Sequence, residues 1–397
     1  MNPIGRCVPS LALCLAALAG CGGSSCIPDV PCGQVPRYDE NQPAPVVTAQ
    51  RFTAIGLGNW HSCMLDSSGA AWCWGGNDVG QLGAASSALC MDGTVPCSSQ
   101  PLAVGGARAY ASIVASMNHS CALTADGQAW CWGLGLGGQL GDGLQADSRQ
   151  PVAVAGGHRF VQLATSLWQG VTCGLKDDGS LWCWGIGFGA SAGPAASSTP
   201  APWTQASTVA FRSIALGEAH GCGLDAAGQA WCWGRNEFGE LGNGGDTSAA
   251  APSPVAGGRS YRQLAVGPTH VCALEASGQA WCWGFGAAGD GGSISDVRRI
   301  PVAVAGGHVF TQIASGQSRS CGLTADGSAW CWGAGTTGAL GDGASVDRAA
   351  PVAVTGGLKF TRLAAGGMAT CGTVADGSAY CWGWNEVGAL GKPIVGH

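Results

Sequence analysis

The sequence predicts an all-β fold, a seven-bladed propeller. Three observations carry this reading. A segment of the type AWCWGGN occurs seven times, its opening aromatic residue at Trp72, Trp130, Trp182, Trp231, Trp281, Trp330 and Tyr380, so the intervals are 58, 52, 49, 50, 49 and 50 residues. Such a period marks a repeat architecture. Each unit reads roughly PVAVxGGxxFxQLAxGxxHxCxLxxxGxAWCWGxxxxGxLGDG, with four short apolar stretches, the strand count of one propeller blade. Composition agrees: with 69 Gly and 11% charged residues among 397, tight turns and strands apolar on both faces are favoured over amphipathic helices. Seven units can bury a core that no single unit could, so residues 44–397 are read as one domain.

The N-terminus is of a different kind. MNPIGRCVPSLALCLAALAGC has one positive charge at Arg6, an apolar run, and then Leu18, Ala19, Gly20 and Cys21. Residues 1–20 resemble a bacterial lipoprotein signal peptide, in which Cys21 is lipidated and begins the mature chain; ordinary secretion with cleavage after Ala-Leu-Ala at 17–19 is the alternative. Residues 21–43 are rich in Gly, Ser and Pro and read as a flexible tether. The expected location is the cell envelope, lipid-anchored at the outer membrane or cell surface, with the lipid as the only membrane attachment.

Within each unit a second cysteine stands ten positions before the aromatic-Cys-Trp: Cys63 and Cys73, Cys121 and Cys131, Cys173 and Cys183, Cys222 and Cys232, Cys272 and Cys282, Cys321 and Cys331, Cys371 and Cys381. A Gly six residues after the first cysteine, as in CMLDSSGAAWC, fits the left-handed position of a three-residue hairpin loop. Counting outward from Ser67, Ser68 and Gly69, Leu65 faces Ala71, Met64 faces Trp72 and Cys63 faces Cys73. That is a non-hydrogen-bonded pair with Cα atoms about 4.5 Å apart, close enough for a disulfide. Each bridge contributes roughly 2 to 3 kcal/mol in the chain-entropy model, less any strain. Zinc is the competing reading, but it prefers Cys-x-x-Cys knuckles converging on one point. Removing Cys7 and Cys14 from the 21 cysteines leaves 19; with 14 in hairpins, Cys26 can pair with Cys32 and Cys90 with Cys97, and Cys21 is left for the lipid.

The register also assigns the tryptophans. Trp72 and Trp74 project from the face opposite the cysteines, and the residue across from the first aromatic is small in six units: Ala122, Gly174, Gly223, Ala273, Gly322 and Gly372, with Met64 the exception. One side of the blade is expected to carry a staple and the other a wedge between blades. HSCALTADGQAWCWGLGLGGQLGDG resembles a repeat of the RCC1 (regulator of chromosome condensation) family, whose members are seven-bladed propellers, and the likeness runs from about residue 44 to the C-terminus. The resemblance implies varied roles, including nucleotide exchange on a small GTPase, chromatin binding, UV-B reception and secreted inhibition of β-lactamases, so it specifies the fold and not the function. The Gly-Trp-Arg-His-Thr signature of the UV-B receptors is absent. A pI near 5.6 without a basic patch argues against nucleic acid, lysine occurring only at Lys176, Lys359 and Lys392.

No catalytic, cofactor or metal site is expected. Asp66, Asp126, Asp178, Asp225, Glu275, Asp326 and Asp376 sit in the hairpin turns, where they cap backbone groups. His61, His119, His220 and His270 recur two residues before the first cysteine, replaced by Val171, Arg319 and Ala369 in the other units, and are read as hydrogen-bonding nearby backbone. The leading reading is a tethered, monomeric scaffold that binds a protein or glycan. The alternatives are a propeller lyase or hydrolase with a site in its central channel, which a cluster of His, Glu and Arg at the channel mouth would favour, and a purely structural envelope protein. The segments before each His and after each WCWG meet at one end of the blade. There the sequence varies and gathers Trp60, Trp168, Trp384, Arg235, Glu237 and Phe188, the expected binding residues.

Overall fold

The computed structural model describes residues 41–91, 93–168, 170–186, 199–204 and 209–394, the strand Thr199–Thr204 by its backbone alone. Seven antiparallel sheets follow one another around a central channel, six of four strands and one of five. Blades 2 to 6 run outward in chain order. In blade 2, Tyr110–Ala115 is innermost, followed by His119–Thr124, Ala129–Gly133 and, at the rim, Ser148–Ala153.

The hairpin register is the one the turn glycine dictates. Cys63 faces Cys73, Met64 faces Trp72 and Leu65 faces Ala71, and the Asp66 N–H donates to the Ala70 carbonyl at 3.0 Å to close the loop. Gly69 and its six counterparts through Gly377 have φ between 80° and 87°, which side chains with a Cβ resist. The seven cysteine pairs are bridged with Cα atoms 4.0–4.1 Å apart. An eighth bridge, Cys90–Cys97 with Cα atoms 5.9 Å apart, clamps a hairpin peculiar to blade 1, Ala88–Cys90 against Val95–Ala103. Cys21, Cys26 and Cys32 lie outside the described residues.

The ring is closed by the start of the domain. Ala44–Pro45 pairs with Ala379–Gly383, Ala44 opposite Cys381 and Pro45 opposite Tyr380, and the Val46 N–H donates to the Ala379 carbonyl at 2.9 Å. The N-terminal strand is therefore the rim strand of blade 7. Contact begins a little before the expected boundary, for Asn41 accepts from the Ser345 hydroxyl at 2.9 Å and, through its carbonyl, from the Gly343 N–H at 3.0 Å.

Between blades, the cystine of one unit meets the second tryptophan of the next. Trp132 packs against Cys63 and Cys73, Trp283 against Cys222 and Cys232, Trp382 against Cys321 and Cys331, and Trp74 returns to Cys371 and Cys381. The indole N–H of each of these four donates to a carbonyl of the preceding blade's Gly-x-Leu-Gly loop: Gln81, Glu240, Ala339 and Ala389, at 2.8–3.0 Å. The small residue opposite the first aromatic has a different cause from the one expected. A Cβ at Gly174, Gly223, Gly322 or Gly372 would drive into the ring of Phe160, Phe211, Phe310 or Phe360, which stands at or just before the start of the innermost strand. That ring in turn lies against the second tryptophan, at 5.5–6.3 Å between centroids in all seven blades. Nearer the channel, glutamine amides bracket adjacent inner strands. Gln263 donates to the Ile313 carbonyl and accepts from its N–H, at 2.8 and 3.1 Å, and Gln312 does the same to Leu363 at 2.8 and 3.0 Å.

Candidate functional site

At the turn end, the carboxylates are bonded within their own turn, and those of Asp126, Asp326 and Asp376 also to a cation of the next blade, Arg159, Lys359 and Arg51. The Asp66 carboxylate accepts from the N–H groups of Ser68 and Ala70 and from the Trp72 indole at 2.8, 3.1 and 2.9 Å; Asp225 repeats this with Ala227, Gln229 and Trp231. The first tryptophan of each motif is only half-buried, and a cation covers its ring in three blades: Arg108 over Trp130 at 3.5 Å, Lys176 over Trp182 at 4.0 Å and Arg259 over Trp281 at 3.3 Å. His158 and His308 lie against Trp182 and Trp330 at 4.2 and 4.0 Å. Sequence reasoning missed these clamps, although a basic or imidazole residue follows the Gly-Gly of several units: Arg108, His158, Arg259 and His308.

The four recurring histidines are buried in the seams. Their side-chain partners are hydroxyls of the next blade, in addition to the backbone contacts of His61 with Met117 and His270 with Arg319: His61 Nε2 meets Ser120 Oγ at 2.7 Å, His119 meets Thr172 at 2.8 Å and His270 meets Ser320 at 2.9 Å. Arg319, in the same position, donates to Thr370 at 2.9 Å. His220 faces Val271 in the hydroxyl position, and neither of its ring nitrogens finds a partner among the described residues. Burial holds His61 and His270 down to about 4 and His119 and His220 to about 3, from an ordinary 6.5. Below pH 6.5 the unfolded chain therefore binds protons that the folded one refuses, so stability falls with pH from 6.5 down to each folded value. Each histidine is expected to add about 1.4 kcal/mol per pH unit across its window. Thermal melts between pH 7 and 4.5 check this, and His220→Leu should flatten the profile; a melting temperature constant over that range would contradict it.

The other end of the disc is where the sequence varies. Trp60 and Trp384 meet edge to face across the junction of blades 1 and 7, their ring centroids 5.1 Å apart. Trp60 also lines a cleft of about 250 Å³ with Met91, Val95, Met117 and Val387, part of it roofed by the blade 1 hairpin. A second cleft of about 260 Å³ lies at the channel mouth. Equivalent turns of four consecutive blades supply it with Trp168, Glu218, Pro268, Thr269, Gln317 and Ser318. Arg235, one of the expected binding residues, is held in an ion-pair network. It bridges Glu218 at 2.9 Å and the buried Glu240 at 2.8 Å and donates to the Pro268 carbonyl at 3.0 Å. Glu237 is exposed beside it, and Phe188 lies outside the described residues. The residues so described at the channel mouth include one carboxylate–guanidinium pair and no histidine. No group of three or more His, Cys, Asp or Glu side chains is placed to hold a metal among the described residues.

A family model described as the RCC1-like domain matches residues 19–362. The chain belongs to this family. RCC1-like relatives include the E3 ubiquitin-protein ligase HERC2 of Homo sapiens, 34% identical over 136 residues, and the X-linked retinitis pigmentosa GTPase regulator homolog of Caenorhabditis elegans, 35% identical over 107 residues. These alignments cover 34% and 26% of this chain but 3% and 7% of those proteins. Among solved structures, human WBSCR16 is similar with a TM-score of 0.72 at 20% identity, covering 86% of this chain and 89% of that one. Prp20p of Saccharomyces cerevisiae, whose structure is described with its binding to Gsp1p and histones, has a TM-score of 0.67 at 21% identity, with coverage of 84% and 83%. At such identities the likeness is one of fold, and this RCC1-like propeller must be read from its own faces.

Proposed function

We propose that this RCC1-like chain is an envelope-tethered binding scaffold, held by a lipid on Cys21 and a spacer that ends near residue 40, and that it engages a protein partner through the variable face. The observation that carries the reading is the Trp60–Trp384 pair beside a cleft lined by Met91, Val95, Met117 and Val387. Large rings and methionines at a concave edge are the side chains that anchor interfaces. On the turn end, comparable rings are already covered and the carboxylates are already bonded. Protein binding by Prp20p, described with Gsp1p and histones and bound by Kap60, supports the class of activity without naming a partner here. The enzyme alternative draws no support from the mouth of the channel, whose charged pair is neutralised internally.

The test is crosslinking on intact cells followed by affinity purification. Trp60→Ala with Trp384→Ala is expected to cut recovery of the crosslinked partner at least about tenfold, as loss of central aromatic anchors does, with the melting temperature near wild type. Equal loss from substitutions at the Asp66 turn would place the site elsewhere. Cys21→Ser should move the protein from the detergent phase to the soluble fraction, and a wild-type protein already soluble would remove the anchor from the account.

A further inference from the structure

Sixteen of the 17 tryptophans in the chain can be set against Trp168. Leaving aside Trp203, whose side chain is not described, each has a ring partner, a cation over its face or a hydrogen bond from its indole N–H: the seven second tryptophans lie against a Phe or Tyr, the first ones meet a cation, an imidazole or a turn carboxylate, and Trp60 pairs with Trp384. Trp168 has none of these among the described residues, and it is half-exposed at the channel mouth. Set in the wall of a cleft with polar neighbours, an uncovered indole has the form of a stacking platform.

Its neighbours in the cleft are polar and largely uncommitted. The Gln317 amide and the Ser318 hydroxyl make no side-chain hydrogen bond among the described residues, while Thr269 reaches only the Phe285 carbonyl at 3.2 Å. The sole carboxylate, Glu218, keeps Arg235 at 2.9 Å. A cationic ligand would have to compete with that guanidinium, and an anionic one would meet Glu218 without a free positive group in the lining. What remains is one flat apolar surface ringed by neutral donors and acceptors in a shallow, open depression.

We propose that the Trp168 cleft is a subsite for a neutral saccharide. The C–H face of a pyranose ring stacks on the indole, and its hydroxyls bond to the Gln317 amide, the Ser318 hydroxyl and the Glu218 carboxylate. The site is separate from the Trp60–Trp384 cleft, and its ligand does not depend on the protein-binding reading.

The experiment is saturation-transfer NMR on the whole folded protein with three probes: chitotetraose, cellotetraose and maltotetraose. Transfer to at least one is expected, with Trp168→Ala weakening it at least about tenfold, the usual effect of truncating an aromatic anchor. Gln317→Ala should weaken it several-fold, and Trp60→Ala with Trp384→Ala should leave it unchanged, which separates this result from the protein-binding one. An unchanged thermal melt shows that Trp168→Ala remains folded. No transfer from any of the three sugars, equal transfer in Trp168→Ala, or transfer to a Gly-Pro-Trp tripeptide in place of the sugars would overturn the proposal.

Discussion

Protein unfolded, reduced and returned to native buffer with its thiols kept reduced is expected not to recover the propeller. The seven hairpin bridges each close a ten-residue separation, and each such loop contributes roughly 2 to 3 kcal/mol by constraining the unfolded chain. Even with part of this lost to strain and non-additivity, the sum reaches about the whole stability of a folded domain, 5–15 kcal/mol. The sulfurs are also core atoms: the cysteines are buried, and each pair forms the floor on which the next blade's tryptophan sits. Near-UV circular dichroism reads the outcome directly, because the buried indoles give a fixed signal only when the seams are packed. A reduced chain that regains the oxidised spectrum and melts within a few degrees of it would show the bridges to be dispensable.

Trp283→Ala is expected to cost about 3–5 kcal/mol, the range for truncating a fully buried aromatic side chain. Trp283 has no exposed surface; it lies 6.3 Å from the Tyr261 ring and against Cys222 and Cys232 of the preceding blade. Its N–H donates to the Glu240 carbonyl at 2.8 Å, so removal also leaves a buried acceptor unpaired, about 1–3 kcal/mol by itself. Trp283→Phe keeps most of the ring and loses the hydrogen bond, so its cost should be smaller. Trp281→Ala, two residues away on the same face but half-exposed under Arg259, should cost less than half as much. Urea midpoints at constant m-value separate the three. Equal losses from Trp281→Ala and Trp283→Ala would mean that the seam is not where the blade is held.

The hairpins were legible because one turn glycine sets the register and strand side chains alternate with period two, so Cys63 opposite Cys73 followed from counting. The seams were not, since a strand pattern tells which face a residue occupies and not what the neighbouring unit sets against it. That information was nonetheless present as a relation between units. His61, His119 and His270 stand one blade before Ser120, Thr172 and Ser320, and where the hydroxyl gives way to Val271 the histidine, His220, has no partner among the described residues. The small residues opposite the first aromatic are visible in the sequence, but the ring they make room for, such as Phe160 or Phe211, comes from the inner edge of the blade, which the hairpin register does not reach. On the variable face, Trp60 and Trp384 come together as the closing of the ring requires. Arg235 is already paired with Glu218 and Glu240, a contact between loops that the strand pattern does not show.

The central claim is that each blade is a stapled hairpin whose cystine receives the wedge of the next. Peptide mapping of the native protein under non-reducing conditions tests it most directly. The account predicts seven linkages, each joining a cysteine to the one ten residues further on, together with Cys90 to Cys97. Free thiols at most of these positions, or bridges that run from one unit to another, would contradict it.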